Sequence, residues 1–60
     1  MLWVTDRDEH GWRATEYTDN DGKPDLPTGT VTDYFETRPD LEAKLIKMGV
    51  ASHQLRDGDF

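Results

Sequence analysis

A single segment of this 60-residue chain has the periodicity of an amphipathic helix. Leu41, Leu45 and Met48 recur at positions i, i+4 and i+7 and would form one apolar stripe. Thr37 has the side chain of an N-cap, and Gly49 suits the left-handed position that ends many helices. One helix cannot bury its stripe alone, so the other residues must supply a surface that covers it. Together with the strand-like segments that precede the helix, this requirement predicts an α+β fold.

The residues before the helix alternate between strand-like segments and turn formers. Residues 2–5, 12–18 and 30–36 are predicted strands, because they are rich in β-branched and aromatic side chains. Residues 6–11 are typical of a polar hairpin loop, and Asp21-Gly22 is a strong hairpin signal. These segments would give two successive hairpins ahead of the helix.

The expected architecture is a small antiparallel sheet of three strands with one α-helix packed on one face, in the order ββ(β)α(β). Residues 50–55 are predicted to form either a fourth strand or a second short helix. Residues 1–60 would make a single mini-domain, in which residues 56–60 fray as a tail. Pro24 and Pro27 should keep their own stretch out of the sheet interior.

Strand alternation divides the sheet residues between two faces. Pairing Val4 with Trp12 places both under the helix and puts Trp3 outside, opposite Arg13. The expected inner face is Leu2, Val4, Trp12, Ala14, Val31 and Phe35. The exposed aromatic residues of the same register are Trp3, Tyr17 and Tyr34. Three exposed aromatic side chains suggest a contact surface. The alternatives are that a tail or loop covers them, or that the tryptophan register is inverted.

The composition argues against several classes of protein. There is no cysteine, which excludes disulfides and thiolate zinc sites and is typical of a reducing cytoplasm. The longest apolar run, residues 1–4, is too short for a signal peptide or a membrane span. A chain of this size has little material to enclose a substrate, so we expect neither an enzyme nor a cofactor.

The negative charge is concentrated in the first part of the chain. Residues 1–37 hold nine Asp and Glu against three basic residues, whereas residues 38–60 hold four of each sign. The formal net charge of −6 therefore belongs to one part of the protein. Such a field attracts basic surfaces and repels nucleic acid.

Three groups of polar residues have side chains capable of chemistry but lack the required spacing. His10 follows the carboxylates of residues 6–9 without a known metal-ligand spacing. Residues 19–22 partly resemble a calcium loop, but no closing glutamate follows. Ser52 and His53 are adjacent, and adjacent side chains do not face each other on a helix or strand. We therefore predict no catalytic residue and no metal site.

Residues 41–56 resemble the helix-turn-helix class, with a helix, a Gly-Val turn and a Gly-Val-x-Ser-x-x-Leu segment that would begin a recognition helix. The resemblance implies a short DNA-binding module. The segment departs from the class because Asp57-Gly58-Asp59 would end the second helix early. The part that would be the recognition helix has a single arginine and no lysine, although DNA binding needs cationic contacts to phosphates.

The expected function is that of a small acidic protein-binding module, an inhibitor or modulator that docks on a basic, nucleic-acid-binding surface of a host protein. In size and charge the chain resembles the small proteins that phages make against host polymerases or CRISPR complexes. Its carboxylates would take the places of phosphates, with no direct nucleic-acid or membrane binding. The predicted partner-binding residues are Asp6, Asp8, Glu9, Glu16, Asp19, Asp21, Asp25, Trp3, Tyr17 and Tyr34. The alternative is a homo-oligomeric structural or accessory protein, such as a homodimer, that uses the aromatic sheet face.

Overall fold

A computed structural model describes residues 1–58 as one sheet with a helix packed against it. The elements are β1 (Leu2–Asp8), β2 (Gly11–Asn20), β3 (Lys23–Val31), α1 (Arg38–Lys47), a 3₁₀ turn (Ser52–Gln54) and β4 (Leu55–Asp57). The strand order is β3-β2-β1-β4. The predicted α+β class and the order of elements are confirmed. Because β4 pairs in parallel with β1, the sheet is mixed and not antiparallel throughout.

Helix α1 begins and ends as its sequence predicts. The Thr37 hydroxyl accepts a hydrogen bond from the backbone N–H three residues later, at 3.3 Å. Gly49 has a φ of 94°. Its N–H donates to the Ile46 carbonyl at 2.9 Å, and the Val50 N–H donates to the Leu45 carbonyl at 3.0 Å. This pair of bonds is a Schellman motif, so both caps are encoded locally.

The core lies between α1 and one face of the sheet. Leu41 and Leu45 are fully buried and pack with Trp3 and Ala14. Met48 remains 46% exposed, so the predicted apolar stripe ends at Leu45. The residues that pack at the edge of this core are Trp12, Phe35, Val50 and Leu55.

The predicted register of the first hairpin was wrong. Thr5 pairs with Ala14, and only Glu9 and His10 separate the paired ends of β1 and β2. This register differs from the predicted one by three positions, and an odd shift exchanges the faces of β1. Trp3 is therefore 6% exposed and belongs to the core, where we had expected an outward side chain.

Leu2 and Val4 are also buried, although the same alternation places them on the face away from α1. The β2–β3 pairing contains register shifts on either side of Tyr17, which bend this hairpin. The Arg56 guanidinium of β4 donates to the Gly22 carbonyl, with Nε at 3.3 Å and Nη2 at 3.2 Å. The sheet therefore curls until its last strand meets the turn of its second hairpin.

The third strand was predicted too late in the chain. Asp21 and Gly22 both have positive φ, 60° and 84°, as a type I′ turn requires. The turn reverses the chain at once, so β3 begins at Lys23 and carries both Pro24 and Pro27. β3 is an edge strand, as the prolines demand. Of the predicted residues 32–36, Phe35 alone forms a bridge, with Trp12.

The C-terminal residues combine the two predicted alternatives. One 3₁₀ turn, Ser52–Gln54, leads directly into β4. Arg56 and Asp57 belong to this strand, so the predicted frayed tail was wrong for them, and residues 59–60 lie outside the described residues. No second α-helix follows α1 within residues 50–58, so the helix-turn-helix interpretation was wrong.

Candidate functional site

The tip of the first hairpin is packed against the segment that precedes α1. The Trp12 N–H donates to the Phe35 carbonyl and the Phe35 N–H donates to the Trp12 carbonyl, both at 2.7 Å. Gly11 makes this approach possible, because a Cβ atom there would lie 2.6 Å from the Phe35 carbonyl oxygen. Gly11 also has a φ of 123°. The close pairing brings Tyr34, the residue before Phe35, to the hairpin tip.

Tyr34 is held from three directions by residues of the tip. Its hydroxyl donates to Asp8 Oδ2 at 3.1 Å. The Arg13 guanidinium carbon lies 5.1 Å from the centre of the Tyr34 ring, within cation–π range. The His10 ring is 5.3 Å from the Tyr34 ring, tilted by 39°. Tyr34 nevertheless remains 39% exposed. We call Asp8, Glu9, His10, Arg13 and Tyr34 the hairpin-tip cluster.

The same contacts set the protonation states within the hairpin-tip cluster. The His10 backbone N–H donates to Asp8 Oδ1 at 2.8 Å. This bond, supported by the Tyr34 hydroxyl, holds the pKa of Asp8 below its ordinary value. The pKa of Tyr34 is raised, first by loss of water around the phenol and then by its hydrogen bond to Asp8. At neutral pH, Asp8 is therefore a carboxylate that accepts a hydrogen bond from a neutral phenol.

Most of the acidic residues that carry the net charge have no basic partner. Among the nine carboxylates of residues 1–37, Asp8 alone lies within ion-pair distance of a basic group in the described chain, with 3.6 Å between its Oδ1 and His10 Nδ1. Glu16 instead accepts the Thr28 hydroxyl at 2.7 Å, and Asp19 accepts the Gly22 N–H at 2.7 Å. Their charge is consequently not neutralised within residues 1–58.

The structure separates the predicted partner-binding residues into groups. Asp8, Glu9 and Tyr34 come together in the hairpin-tip cluster, whereas Asp19 and Asp21 lie at the second hairpin tip. β2 has ten residues, so about 30 Å of extended chain separates the two tips. The remaining acidic residues lie between or beside the tips: Asp6 on β1, Glu16 on β2 and Asp25 on β3. The carboxylates do not form one continuous acidic face.

Two of the three predicted aromatic anchors are less exposed than the sequence had suggested. Trp3 is buried in the core, so its assignment as an exposed anchor was wrong. Tyr17 is half-buried on β2. Arg13 stacks on Tyr34. The predicted register had instead placed Arg13 opposite Trp3.

Sequence reasoning did not include His10 and Arg13 among the contact residues. Arg13 could have been found from alternation, because a Trp12–Phe35 pair places the neighbouring residues, Arg13 and Tyr34, on the opposite face. His10 has no such signal. Its position beside Tyr34 depends on the length of the turn.

Two further observations limit the chemistry of the described chain. Within residues 1–58, no three His, Cys, Asp or Glu side chains are grouped so that they could hold a metal ion. The described part also contains no helix long and apolar enough to cross a membrane.

Comparison with known proteins gives no match for this chain. No family model fits the sequence, and no curated protein or solved structure is significantly similar to it. The function must therefore be argued from the residues and their geometry.

Proposed function

We propose that this protein is a small acidic protein-binding module that inhibits or modulates its target by docking on a basic, nucleic-acid-binding surface. The proposal depends chiefly on one observation, the exposed Tyr34 ring that Asp8, His10 and Arg13 hold in place. Tyrosine and arginine are among the residues that dominate protein interfaces. A tyrosine stacked with an arginine at a hairpin tip suits recognition and not catalysis.

The geometry reduces the entropic cost of binding. An aromatic side chain that is already immobilised loses little rotamer freedom when a partner covers it. Tyr34 is fixed by a hydrogen bond and by two ring contacts before any partner arrives. Glu9 lies between Asp8 and His10 in the turn of this hairpin and makes no ion pair within residues 1–58. The aromatic anchor would therefore dock with an unneutralised carboxylate beside it.

The net charge of −6 would act at longer range. Complementary charge accelerates the encounter of two proteins and makes it sensitive to salt. Carboxylates at both hairpin tips could occupy positions that phosphates take on a nucleic-acid-binding surface. A cytoplasmic location is part of this proposal, supported by the cysteine-free composition.

The test is affinity capture from the native host with the wild-type protein, Tyr34→Ala and Asp21→Ala, each at about 50 and 500 mM salt. We expect the wild-type protein and Asp21→Ala to capture a partner that Tyr34→Ala does not capture, because Asp21 lies at the other tip. Binding should fall at high salt, where the Debye length shrinks to a few ångströms.

Equal capture by all three proteins would contradict the use of the hairpin-tip cluster. Capture that does not change with salt would contradict the electrostatic part of the proposal. The burial of Trp3 removes one of the three aromatic side chains on which the homo-oligomer alternative depends. Light scattering that gives twice the monomer mass, with Tyr34→Ala restoring the monomer, would nevertheless favour that alternative.

A further inference from the structure

The side of α1 that faces away from the sheet carries apolar residues of its own. Pro39, Ala43 and Ile46 recur at positions i, i+4 and i+7, so they share one side of the helix, away from Leu41 and Leu45. All three are exposed, and Ile46, at 65%, is the most exposed of the large apolar side chains in the described chain. We call Pro39, Ala43 and Ile46 the outer face of α1. Nothing within residues 1–58 covers it.

Two charges of opposite sign border the outer face of α1 on one flank. Asp40 and Lys47 are both exposed, and neither makes an ion pair within residues 1–58. About two helical turns, or about 10 Å, separate them along the helix axis, which is too far for them to pair with each other. On the other flank, Arg38 and Glu42 do pair with each other, at 2.9 Å. Asp40 and Lys47 are therefore the charges that a partner of this face could neutralise.

A second copy of α1 complements this arrangement when the two helices run antiparallel. A two-fold axis next to Ala43 places Asp40 of each copy near Lys47 of the other, because both residues lie on the same flank of the helix. The same axis places Ile46 of each copy over the space between Pro39 and Ala43 of the other. A parallel arrangement would instead put like charges opposite each other. The outer face is therefore self-complementary, as an interface between identical subunits related by a two-fold axis has to be.

The distribution of net charge also favours this face for contact between two copies. Two molecules that each carry a formal charge of −6 repel each other. That charge belongs to residues 1–37, whereas residues 38–60, which include α1, hold four residues of each sign. Contact through α1 therefore brings together the neutral parts of two chains, where the repulsion is smallest.

We propose that two copies of this protein associate through the outer faces of their α1 helices, packed antiparallel. The association is independent of the proposed function and leaves the hairpin-tip cluster free, because Trp12 packs toward the core under α1 and the neighbouring Arg13 faces away from it. A helix of ten residues is about 15 Å long, so the contact is smaller than a standard interface. We therefore expect a reversible dimer with a dissociation constant of about 0.1–1 mM.

The experiment is sedimentation equilibrium of the full chain at protein concentrations of about 0.02–1 mM. We expect the average mass to rise with concentration toward that of a dimer. Ile46→Ala should weaken the association by about tenfold, because it removes buried apolar surface twice in each dimer. Leu26→Ala is the matched control, because Leu26 is 62% exposed on β3, and it should leave the association unchanged.

Charge variants test the antiparallel arrangement. Asp40→Lys should weaken the association by about 5-fold, because it sets a like charge against Lys47 of the other copy, although it makes the net charge less negative. Asp25→Lys makes the same change of charge on β3 and should not weaken the association. Lys47→Asp should also weaken it. The double variant, Asp40→Lys with Lys47→Asp, restores opposite charges and should return the affinity to within about 2-fold of wild type. Circular dichroism checks the helix in each variant.

Three outcomes would overturn the proposal. A monomer mass that stays constant up to about 1 mM protein would show that the outer face does not bind a second copy. Dissociation of the dimer by Tyr34→Ala, with no effect of Ile46→Ala, would assign the contact to the aromatic sheet face. A double variant that keeps the wild-type circular dichroism and does not recover affinity would exclude antiparallel pairing of the helices.

Discussion

The two hairpin tips have similar acidic sequences and different surroundings. At the first tip, Asp8 accepts hydrogen bonds from His10 and from Tyr34, a residue 26 positions away. At the second tip, Asp19 accepts the N–H of Gly22, only three residues on. The first tip therefore receives an aromatic ring from a distant segment. The second is formed by its own turn, and the Gly22 carbonyl of that turn accepts hydrogen bonds from Arg56. Composition cannot distinguish the two acidic loops, yet the first offers a partner an anchored aromatic ring and the second does not.

The largest expected effect tests the register on which the first tip depends. Trp3→Ala should lower the free energy of unfolding by about 3–5 kcal/mol, as truncation of buried aromatic residues does. Trp12→Ala should cost less, because Trp12 is half-buried whereas Trp3 lies in the core. Chemical denaturation of both variants measures the two losses. The opposite order would show that the β1 faces are exchanged and that Asp8 does not meet Tyr34 at the first tip.

The next effect compares the glycines of the two tips. Gly22→Ala should cost about 1–2 kcal/mol, because its φ of 84° is strained for a residue with a Cβ atom while the space around it is open. Gly11→Ala should cost about 1–3 kcal/mol more, since its Cβ would also press on the Phe35 carbonyl. Denaturation midpoints measure both changes. Equal losses would indicate that the Phe35 segment does not pack on the first tip.

The smallest effect concerns the titration of Asp8. Its pKa is lowered in the folded state, so Asp8 contributes stability above its ordinary pKa of about 3.8 and loses that contribution as the pH falls through the folded value. Tyr34→Phe removes one hydrogen-bond donor and should raise the pKa of Asp8 toward its ordinary value. The His10 N–H remains, so a lowered pKa should persist.

NMR titration of the Asp8 carboxyl carbon would measure this shift. Tyr17→Phe is the matched control, because it also removes a phenol hydroxyl, and it should leave the Asp8 titration unchanged. An Asp8 pKa that is the same in wild type and Tyr34→Phe would mean that Tyr34 is not bonded to the tip in solution.

Sequence reasoning succeeded where structure is local. The caps at Thr37 and Gly49, the burial of Leu41 and Leu45, and the Asp21-Gly22 turn were all expected. Each depends on residues within about one helical turn or one hairpin. The candidate site was predicted only in part, because Asp8, Glu9 and Tyr34 were expected contacts, whereas His10 and Arg13 were not.

By itself, the sequence determined one capped helix, a tight second hairpin and an excess of acid in residues 1–37. The tertiary structure alone decided which face of β1 meets the helix and which acidic tip receives Tyr34. The physical reason is that side chains alternate between the two faces of a strand. An odd shift in pairing therefore exchanges the faces while every residue keeps its strand conformation. Contacts between distant segments therefore put Trp3 in the core and left Tyr34 at the surface.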